Sequence, residues 1–316
     1  MRHCLVRAFS RRHCRRGLTI TELLVAVAIM TVLAGVLLPA VLATREASRR
    51  TGCLNNLKEI TLGQQNYVQT FRVGPPARKL PQGLAGVLEQ PFLDQDSATP
   101  AVWRCPADRQ LSTEGVFSYL AGDDLGAWGT HAGAVDPRPL TARVRTPLAV
   151  IDGTSQTVLF TERRITEDNM AAGRLAFWQV PEPADALDVT WYVPTAATTL
   201  GDLIEQCESA SLTSYLPAFD PLFRQDLTFA ASNLYGVTFD RSPNSVSCYN
   251  GPSRDTDPMP GFEHRDRALT PASSRHAGGV GAAFFDGSAR FISDAIDPAL
   301  WRATGTAIGH EPPAAM

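Results

Sequence analysis

One uncharged apolar run, residues 23–44, constrains the fold of this chain more than any other feature. It spans 22 residues, and residues 1–17 before it carry six arginines and no acid. As an α-helix the run would extend about 33 Å, enough to cross a hydrocarbon core of about 30 Å. Because arginine-rich flanks stay in the cytoplasm, we expect a single pass through the inner membrane, in contact with lipid. The larger C-terminal part would then be periplasmic or extracellular.

A secretory signal peptide is the alternative interpretation, since it also combines a basic and an apolar segment. The run is longer than the apolar region of a signal peptide, which has about 7–15 residues, and no small-residue cleavage site with a polar start follows it. Instead, apolar residues continue at helical spacing. This continuation predicts one helix with a membrane span and an amphipathic stalk; the residues are Ala47, Leu54, Leu57, Ile60, Tyr67 and Phe71.

The charge of the remaining chain argues against a nucleic-acid partner. Removing the six leader arginines from 29 basic residues leaves 23, against 32 acidic ones, a net charge of −9. Nucleic-acid binding relies on basic groups that neutralise phosphates. With 44% apolar residues, the chain is instead suited to bury a core.

The segment Gly17–Leu24, GLTITELL, resembles the class III signal of type IV prepilins and type II secretion pseudopilins. The resemblance implies that a prepilin peptidase cuts between Gly17 and Leu18 on the cytoplasmic face and that Leu18 is then N-methylated. Glu22 stands where that family keeps its glutamate. It either pairs with the amino terminus of a neighbouring subunit or lies at headgroup level without needing a partner.

A second set of motifs covers most of the remaining chain, and with it the protein is identified as a member of the DUF1559 family of prepilin-like proteins. The family's H-x9-D-G signature matches His276, nine further residues, and Asp286-Gly287. The resemblance implies a pilin-like architecture and a membrane address rather than an activity. The other ordered matches are CLNNLKEI at 53–60, VLEQ at 87–90, RCPAD at 104–108, and DGTSQTVL at 152–159 continuing to Glu162.

The residues around Asp286-Gly287 predict a β-hairpin. Alternating apolar residues flank the Asp-Gly pair, which favours a two-residue type I′ turn. His276 lies just upstream, where it either braces the hairpin by hydrogen bonding or ligates a metal. Because no second histidine lies at ligand spacing, we expect no metal site and no cofactor.

Six cysteines become four if Cys4 and Cys14 leave with the leader. The remaining four would face an oxidising compartment, where three pairings are possible. We expect Cys53–Cys105, fixing the long helix to the globular part, and Cys207–Cys248, closing a later loop. Buried free thiols are the alternative.

Two further segments carry local structural signals. Asp152-Gly153 predicts a turn before a strand over 157–161, with Val158 and Phe160 on one face. Asp297 followed by Pro298 predicts a helix start, with Gly305 as its end.

Signatures of catalysis are missing from the sequence: it contains no G-x-S-x-G, H-E-x-x-H or Gly-rich phosphate loop, so we expect no enzyme. Three acid pairs could contribute to Ca²⁺ binding. Solvated loop carboxylates are the simpler interpretation; the pairs are Asp94/Asp96, Asp123/Asp124 and Asp255/Asp257.

The predicted fold class is α+β, with a long N-terminal transmembrane and stalk helix packed on a mainly antiparallel sheet domain. The expected organisation is a cleaved leader (1–17), the helix (18–71), a globular domain (72–305) and a flexible tail (306–316). Pro75-Pro76 would separate the helix from the domain.

The expected function is that of a pseudopilin-like structural subunit of a type II secretion or type IV pilus-like system. Its partners would be the prepilin peptidase and other pilin-like subunits, of the same or another kind. The alternative is an anchored module that binds a polysaccharide or solute without polymerising, with Trp178, Trp191 and Tyr192 available to stack on sugars. An envelope enzyme is a third hypothesis, which would require His276 and two acids in one pocket.

Overall fold

The structure is a computed structural model. It describes residues 19–76, 80–88, 101–108, 117–122, 135–136, 143–164, 187, 190–192, 199–209, 216–217, 237–249 and 268–307. The expected leader, residues 308–316 of the expected tail, Trp178 and the three acid pairs lie outside these residues, as do the side chains of Trp191 and Tyr192.

Four α-helices and ten strands are described. The helices are α1 Ile20–Phe71, α2 Leu80–Ala85, α3 Leu200–Ser209 and α4 Pro298–Gly305. The strands are β1 Tyr119–Ala121, β2 Val135–Asp136, β3 Arg143–Val144, β4 Val158–Glu162, β5 Thr190–Tyr192, β6 Leu216–Pro217, β7 Ser247–Tyr249, β8 Ala268–Leu269, β9 Gly279–Phe284 and β10 Ala289–Ser293.

The chain divides into two compact units, Met1–Ala47 and Ser48–Met316. The described part of the first unit is residues 19–47, where α1 carries the apolar run. No residue of this part is buried. Within the described residues, α1 is the helix long and apolar enough to cross a membrane. Pro39 lies inside it.

The main sheet of the second unit has the order β1-β4-β9-β10, and all its neighbours are antiparallel. Two apolar clusters cover its two faces. One contains Leu57 and Ile60 of α1 together with Trp103 and Phe160; the other contains Trp301 of α4. The sheet therefore lies between the C-terminal part of α1 and α4.

Strand β9 shows why both faces are apolar. Val280, Ala282 and Phe284 belong to the α4 cluster, whereas Ala283 and the following Phe285 belong to the α1 cluster. Alternation along a strand sends successive side chains to opposite faces. A strand buried on both faces is therefore apolar at almost every position, as β9 is.

The expected shared face of Val158 and Phe160 is wrong. Val158 packs in the α4 cluster, while Phe160 and Leu159 pack in the α1 cluster. The pairing of β4 with β9 shifts register between Val158 and Phe160. An extra residue in one strand breaks the two-residue alternation, which accounts for the change of face.

The β9–β10 hairpin is present, but its turn is not type I′. Gly287 has φ +89°, while Asp286 is not in the left-handed region. The Gly287 N–H donates to the Phe284 carbonyl at 3.0 Å, and the Phe284 N–H donates to the Ser288 carbonyl at 2.9 Å. These bonds define a type I turn with a glycine bulge. The three-residue loop lets Phe285 enter the core, where it is buried.

The end signals of two helices agree with the structure. Asp297 Oδ1 accepts the N–H groups of Ala299 and Leu300 at 2.8 and 3.0 Å, and α4 ends at Gly305. Helix α1 ends at Phe71, where Arg72 takes φ +59°, three residues before Pro75-Pro76.

A second sheet has the order β6-β5-β7-β8, in which β5 and β7 are parallel and the other pairs antiparallel. Strands β2 and β3 form a separate pair. The predicted α+β class is confirmed, with a long N-terminal helix and a mainly antiparallel sheet domain.

Candidate functional site

Four motif residues meet in one buried cluster. Cys53 comes from α1, Cys105 from the loop after Trp103, Glu162 from the end of β4, and His276 from the segment before β9. One potential ligand atom from each lies within 4.8 Å of those of the others. Each residue belongs to a different motif of the sequence, so the fold gathers motifs that are far apart in the chain.

The two cysteines of the cluster are joined in a disulfide, with Cα atoms 4.9 Å apart. His276 Nε2 lies 3.5 Å from Cys105 Sγ and 3.8 Å from Glu162 Oε1. The side chains of His276 and Glu162 are 1% and 2% exposed. The imidazole and carboxylate thus lie beside the disulfide with almost no access to solvent.

Glu162 carries a buried carboxyl group. Its Oε2 accepts the N–H of Gly281 at 2.8 Å. Burial raises the pKa of Glu162, because a low-dielectric setting disfavours the charged form. Hydrogen bonds from Gly281 and Ser274 and the proximity of His276 oppose that rise in pKa.

A partly buried ion pair connects two motifs beside the cluster. Arg275 Nε donates to Asp108 Oδ1 at 3.0 Å, and Asp108 Oδ2 accepts the hydroxyl of Ser118 at 3.0 Å. Because Arg275 precedes His276 and Asp108 follows Cys105 by three residues, this pair helps to hold the two loops together. The His276 N–H also donates to Ser274 Oγ at 3.1 Å.

Asn56 of α1 contacts two more parts of the site. Its Nδ2 donates to the Arg104 carbonyl at 2.9 Å and lies 3.3 Å from the Tyr119 hydroxyl. Burial, and secondarily the charge of Glu162, raise the pKa of Tyr119. The tyrosine therefore stays neutral as a hydrogen-bonding group.

Strand β9 runs alongside α1 in the same direction, as three contacts show. Near the start of the contact, Arg50 Nη2 donates to the Ala277 carbonyl at 3.3 Å. In the middle, a Cβ on Gly281 would lie 3.0 Å from Leu57 Cδ1. At the far end, Gln65 Nε2 donates to the Phe285 carbonyl at 3.0 Å.

The spacing of the H-x9-D-G motif follows from this arrangement. From residue 50 to residue 65 the helix rises about 22 Å. From residue 277 to residue 285 an extended strand covers about 26 Å. Nine residues between His276 and Asp286 therefore place one end of the motif at the disulfide and the other at Gln65, opposite ends of the same helix segment.

The Asp-Gly end of the motif is a structural turn. Asp286 Oδ1 accepts the Ser288 N–H at 2.8 Å, and the Asp286 N–H donates to the Thr154 carbonyl at 2.9 Å. Gly287 has positive φ, and a Cβ there would lie 3.3 Å from Gln65 Nε2. Glycine is suited to this position by both conformation and space. The structure does not bring Asp286 or Gly287 into the His276 cluster.

The other expected disulfide, Cys207–Cys248, is also present, with Cα atoms 6.2 Å apart. It joins α3 to β7 and packs with Leu203 and Leu269 in a small separate core. It lies apart from the residues that form the His276 cluster.

At the start of α1, Glu22 forms a capping box. Glu22 Oε2 accepts the backbone N–H and the hydroxyl of Thr19 at 2.9 and 2.8 Å, and Thr19 Oγ1 accepts the Glu22 N–H at 3.3 Å. The T-x-x-E pattern at residues 19–22 is the local sequence signal for this box. Gly17 and Leu18 lie outside the described residues, so their processing role stays a prediction.

Sequence reasoning named three members of the cluster, Cys53, Cys105 and His276, but not as one site. Glu162 was noted only as the last residue of a motif. An acid at the end of an apolar strand was the available signal, since buried carboxylates need partners. The pairing of Asp108 with Arg275 was missed because nothing local links residues so far apart in the chain.

Two family models match this chain. Residues 12–38 match the prokaryotic N-terminal methylation motif, which makes this a prepilin-like, type IV pilin or pseudopilin type of protein. Residues 43–87 and 87–299 match the model described as "Protein of unknown function (DUF1559)", so the chain belongs to the DUF1559 family. Comparison with curated proteins and with solved structures gives no match. One helix among the described residues is long and apolar enough to cross a membrane, and together with the prepilin motif it fits anchoring by one membrane pass.

Proposed function

We propose that this protein is a pseudopilin-like structural subunit of a type II secretion or type IV pilus-like system. A prepilin peptidase would cut it after Gly17, and the apolar part of α1 would then pack beside those of other pilin-like subunits. The amino terminus would start on the cytoplasmic face, and the second unit would lie in the periplasm or outside the cell. The role requires no catalysis by the protein itself.

One observation carries this proposal: a single helix, Ile20–Phe71, has no buried residue over 20–47 but a buried stripe beyond residue 52. The exposed part overlaps the methylation motif. An apolar helix surface without intramolecular partners is suited to lipid and to other apolar helices. The C-terminal part of the same helix is integrated into the folded body through Cys53 and Leu57.

Glu22 gives the assembly its specificity in this proposal. Within one chain its carboxylate is bound by Thr19 at the helix start. On assembly it would exchange Thr19 for the amine of a neighbouring Leu18, a charged partner. A charge at the edge of lipid is costly when unpaired, so a packing that joins both charges is favoured over other registers.

Photo-crosslinking in membranes tests this proposal. A photoreactive amino acid at Gly35, where a Cβ would meet nothing within 4 Å, reports on neighbouring helices. The wild-type chain should give a ladder of cross-linked oligomers. Glu22→Ala should leave cleavage intact and reduce the ladder to monomer.

Glu59→Ala is the matched control, because Glu59 is an exposed acid in the same helix, outside the apolar run. It should leave the ladder unchanged. An unchanged ladder in Glu22→Ala would contradict the pairing role of Glu22. If the chain with Glu22 intact gave only monomer after cross-linking, in membranes that contain the partner subunits, the result would contradict assembly itself.

A further inference from the structure

The cluster of Cys53, Cys105, Glu162 and His276 has the composition of a transition-metal site. Two thiolates, an imidazole and a carboxylate are ligands that bind Zn²⁺ in proteins. We propose that these four residues bind Zn²⁺, or a similar divalent ion that accepts sulfur and nitrogen ligands, when the Cys53–Cys105 disulfide is reduced. The inference is independent of the proposed assembly, and it revises the expectation that the chain has no metal site.

The distances already approach those of a tetrahedral site. With bonds of about 2.3 Å to sulfur and 2.0 Å to nitrogen or oxygen, a tetrahedral Zn²⁺ places sulfur and nitrogen roughly 3.5 Å apart, and nitrogen and oxygen about 3.3 Å apart. Cys105 Sγ and His276 Nε2 are separated by 3.5 Å, and His276 Nε2 and Glu162 Oε1 by 3.8 Å. The main change is the separation of the two sulfur atoms, to about 3.8 Å by the same geometry.

Glu162 supplies a second, independent indication of a ligand. Among the described residues its buried Oε1 has no hydrogen-bond partner, and it lies 3.8 Å from His276 Nε2. Its Oε2 is held by the Gly281 N–H. A carboxylate with one oxygen fixed by the backbone and the other directed at a ligand position is the arrangement found around metal ligands.

The disulfide can be reduced by ordinary thiol–disulfide exchange. A dithiol reductant transfers two electrons and two protons, so that the Cys53–Cys105 bond breaks, two thiols form and the reductant becomes a disulfide. Binding of Zn²⁺ then releases the two thiol protons. Disulfide and metal are therefore mutually exclusive states of one site.

Short surface segments border the cluster. Pro106 follows Cys105, and Ala277 and Gly278 follow His276; all three are exposed. Two of the four ligands, Cys105 and His276, thus directly precede exposed residues in the chain. Arg50 stacks 3.8 Å above the Phe291 ring, which in turn stands edge-on to His276, and these contacts cover the imidazole.

Cobalt titration of the full-length chain in detergent micelles tests the site. In C4S/C14S/C207S/C248S the remaining thiols are Cys53 and Cys105. After reduction with a phosphine, Co²⁺ alone should bind at one ion per chain, with thiolate charge-transfer bands and the intense visible bands of tetrahedral cobalt. Zn²⁺ should displace it and raise the unfolding temperature of the reduced chain. The oxidised chain should show neither effect.

Variants and a matched control separate this site from adventitious thiol binding. His276→Gln and Glu162→Gln should each weaken Co²⁺ binding more than about 10-fold. C4S/C14S/C53S/C105S keeps the other cysteine pair and should give no tetrahedral spectrum. X-ray absorption of the zinc-loaded reduced chain needs no variant and should show two sulfur and two nitrogen or oxygen neighbours.

Equal Co²⁺ binding by the oxidised and reduced chains would overturn the proposal. So would unchanged affinity in both His276→Gln and Glu162→Gln, or a sulfur-free zinc environment. Loss of the fold on reduction that Zn²⁺ does not reverse would also overturn it, because the site requires the folded arrangement of all four ligands.

Discussion

The two parts of α1 share one backbone helix but have opposite surroundings. Over 20–47 none of its residues is buried, whereas over 48–71 six residues are; the six are Cys53, Leu57, Ile60, Thr61, Gly63 and Gln64. The first part carries apolar side chains on every side. The second carries a narrow apolar stripe and amide side chains that bind backbone carbonyls elsewhere in the second unit, Ser48–Met316, which is called the body below.

This difference shows that secondary structure alone does not determine the role of a helix. A helix that is apolar all round suits lipid, whereas a stripe suits one protein face. Asn56, Gln64 and Gln65 donate to the carbonyls of Arg104, Arg145 and Phe285. Such hydrogen bonds fix the position of the second part on the body.

The largest effect should come from placing the same charge in each part. Leu57→Arg buries a cation in the core and should destabilise the body by several kcal/mol, on the order of 5. Leu33→Arg should leave the body folded but disfavour membrane insertion by about 3 kcal/mol. Protease resistance of the body and extraction of membranes with alkaline carbonate measure the two outcomes. Loss of the fold in Leu33→Arg would contradict the division.

Removal of the Cys53–Cys105 disulfide should have the next largest effect. Its sequence separation is 52 residues, for which loop entropy predicts a loss of about 4 kcal/mol in C53S/C105S. Hydrogen exchange should accelerate over 48–71 and stay unchanged over 20–47. C207S/C248S is the control, since it removes a similar loop constraint, of 41 residues, without touching α1. Faster exchange of residues 48–71 in that control would indicate a general loss of stability.

Gly281→Ala tests the close contact between β9 and the second part of α1. The added methyl would meet Leu57 Cδ1 at 3.0 Å and the Glu162 carboxyl carbon at 3.2 Å. We expect a loss of about 1–3 kcal/mol in the free energy of unfolding. In the double variant with Leu57→Ala the two losses should be less than additive. Gly86→Ala, at an exposed position with no atom within 4 Å, should change stability by less than about 0.5 kcal/mol. Full additivity would show that Leu57 and Gly281 do not pack together.

The smallest effect should come from Thr19→Ala, at the start of the first part. Loss of an N-cap costs about 1 kcal/mol, so amides of the first helical turn should exchange about fivefold faster. The unfolding temperature of the body should not change. A lower unfolding temperature would mean that the two parts do not behave independently.

Local signals predicted much of the fold. The charge-free run and the cap at Asp297 each depend on neighbours within a few residues, and the structure agrees with them. Of the predicted stripe, Leu54, Leu57, Ile60 and Tyr67 pack on the core, whereas Ala47 and Phe71 are exposed. The turn at Asp286-Gly287 was predicted in kind but not in type, because burial of Phe285 favours a three-residue loop. The bulge beside Leu159 is likewise set by pairing with β9 rather than by its own sequence.

The cluster around His276 could not be predicted in the same way. Cys105 and His276 are 171 residues apart in the chain, and only the packing of α1, β4 and the segment before β9 brings them together. The motifs identified the residues that matter, whereas their common location depended on tertiary structure. Spacing rules for metal ligands apply to residues that are close together in the sequence. For that reason the lack of a second histidine near His276 led to the expectation of no metal site.

The mass of the mature amino terminus, measured on protein isolated from membranes, tests the central claim most directly. The account predicts a chain that begins at N-methylated Leu18, with Cys53 and Leu57 in the folded body behind a membrane helix. A chain that retains Met1, or one cut beyond Met30, would contradict processing as a prepilin.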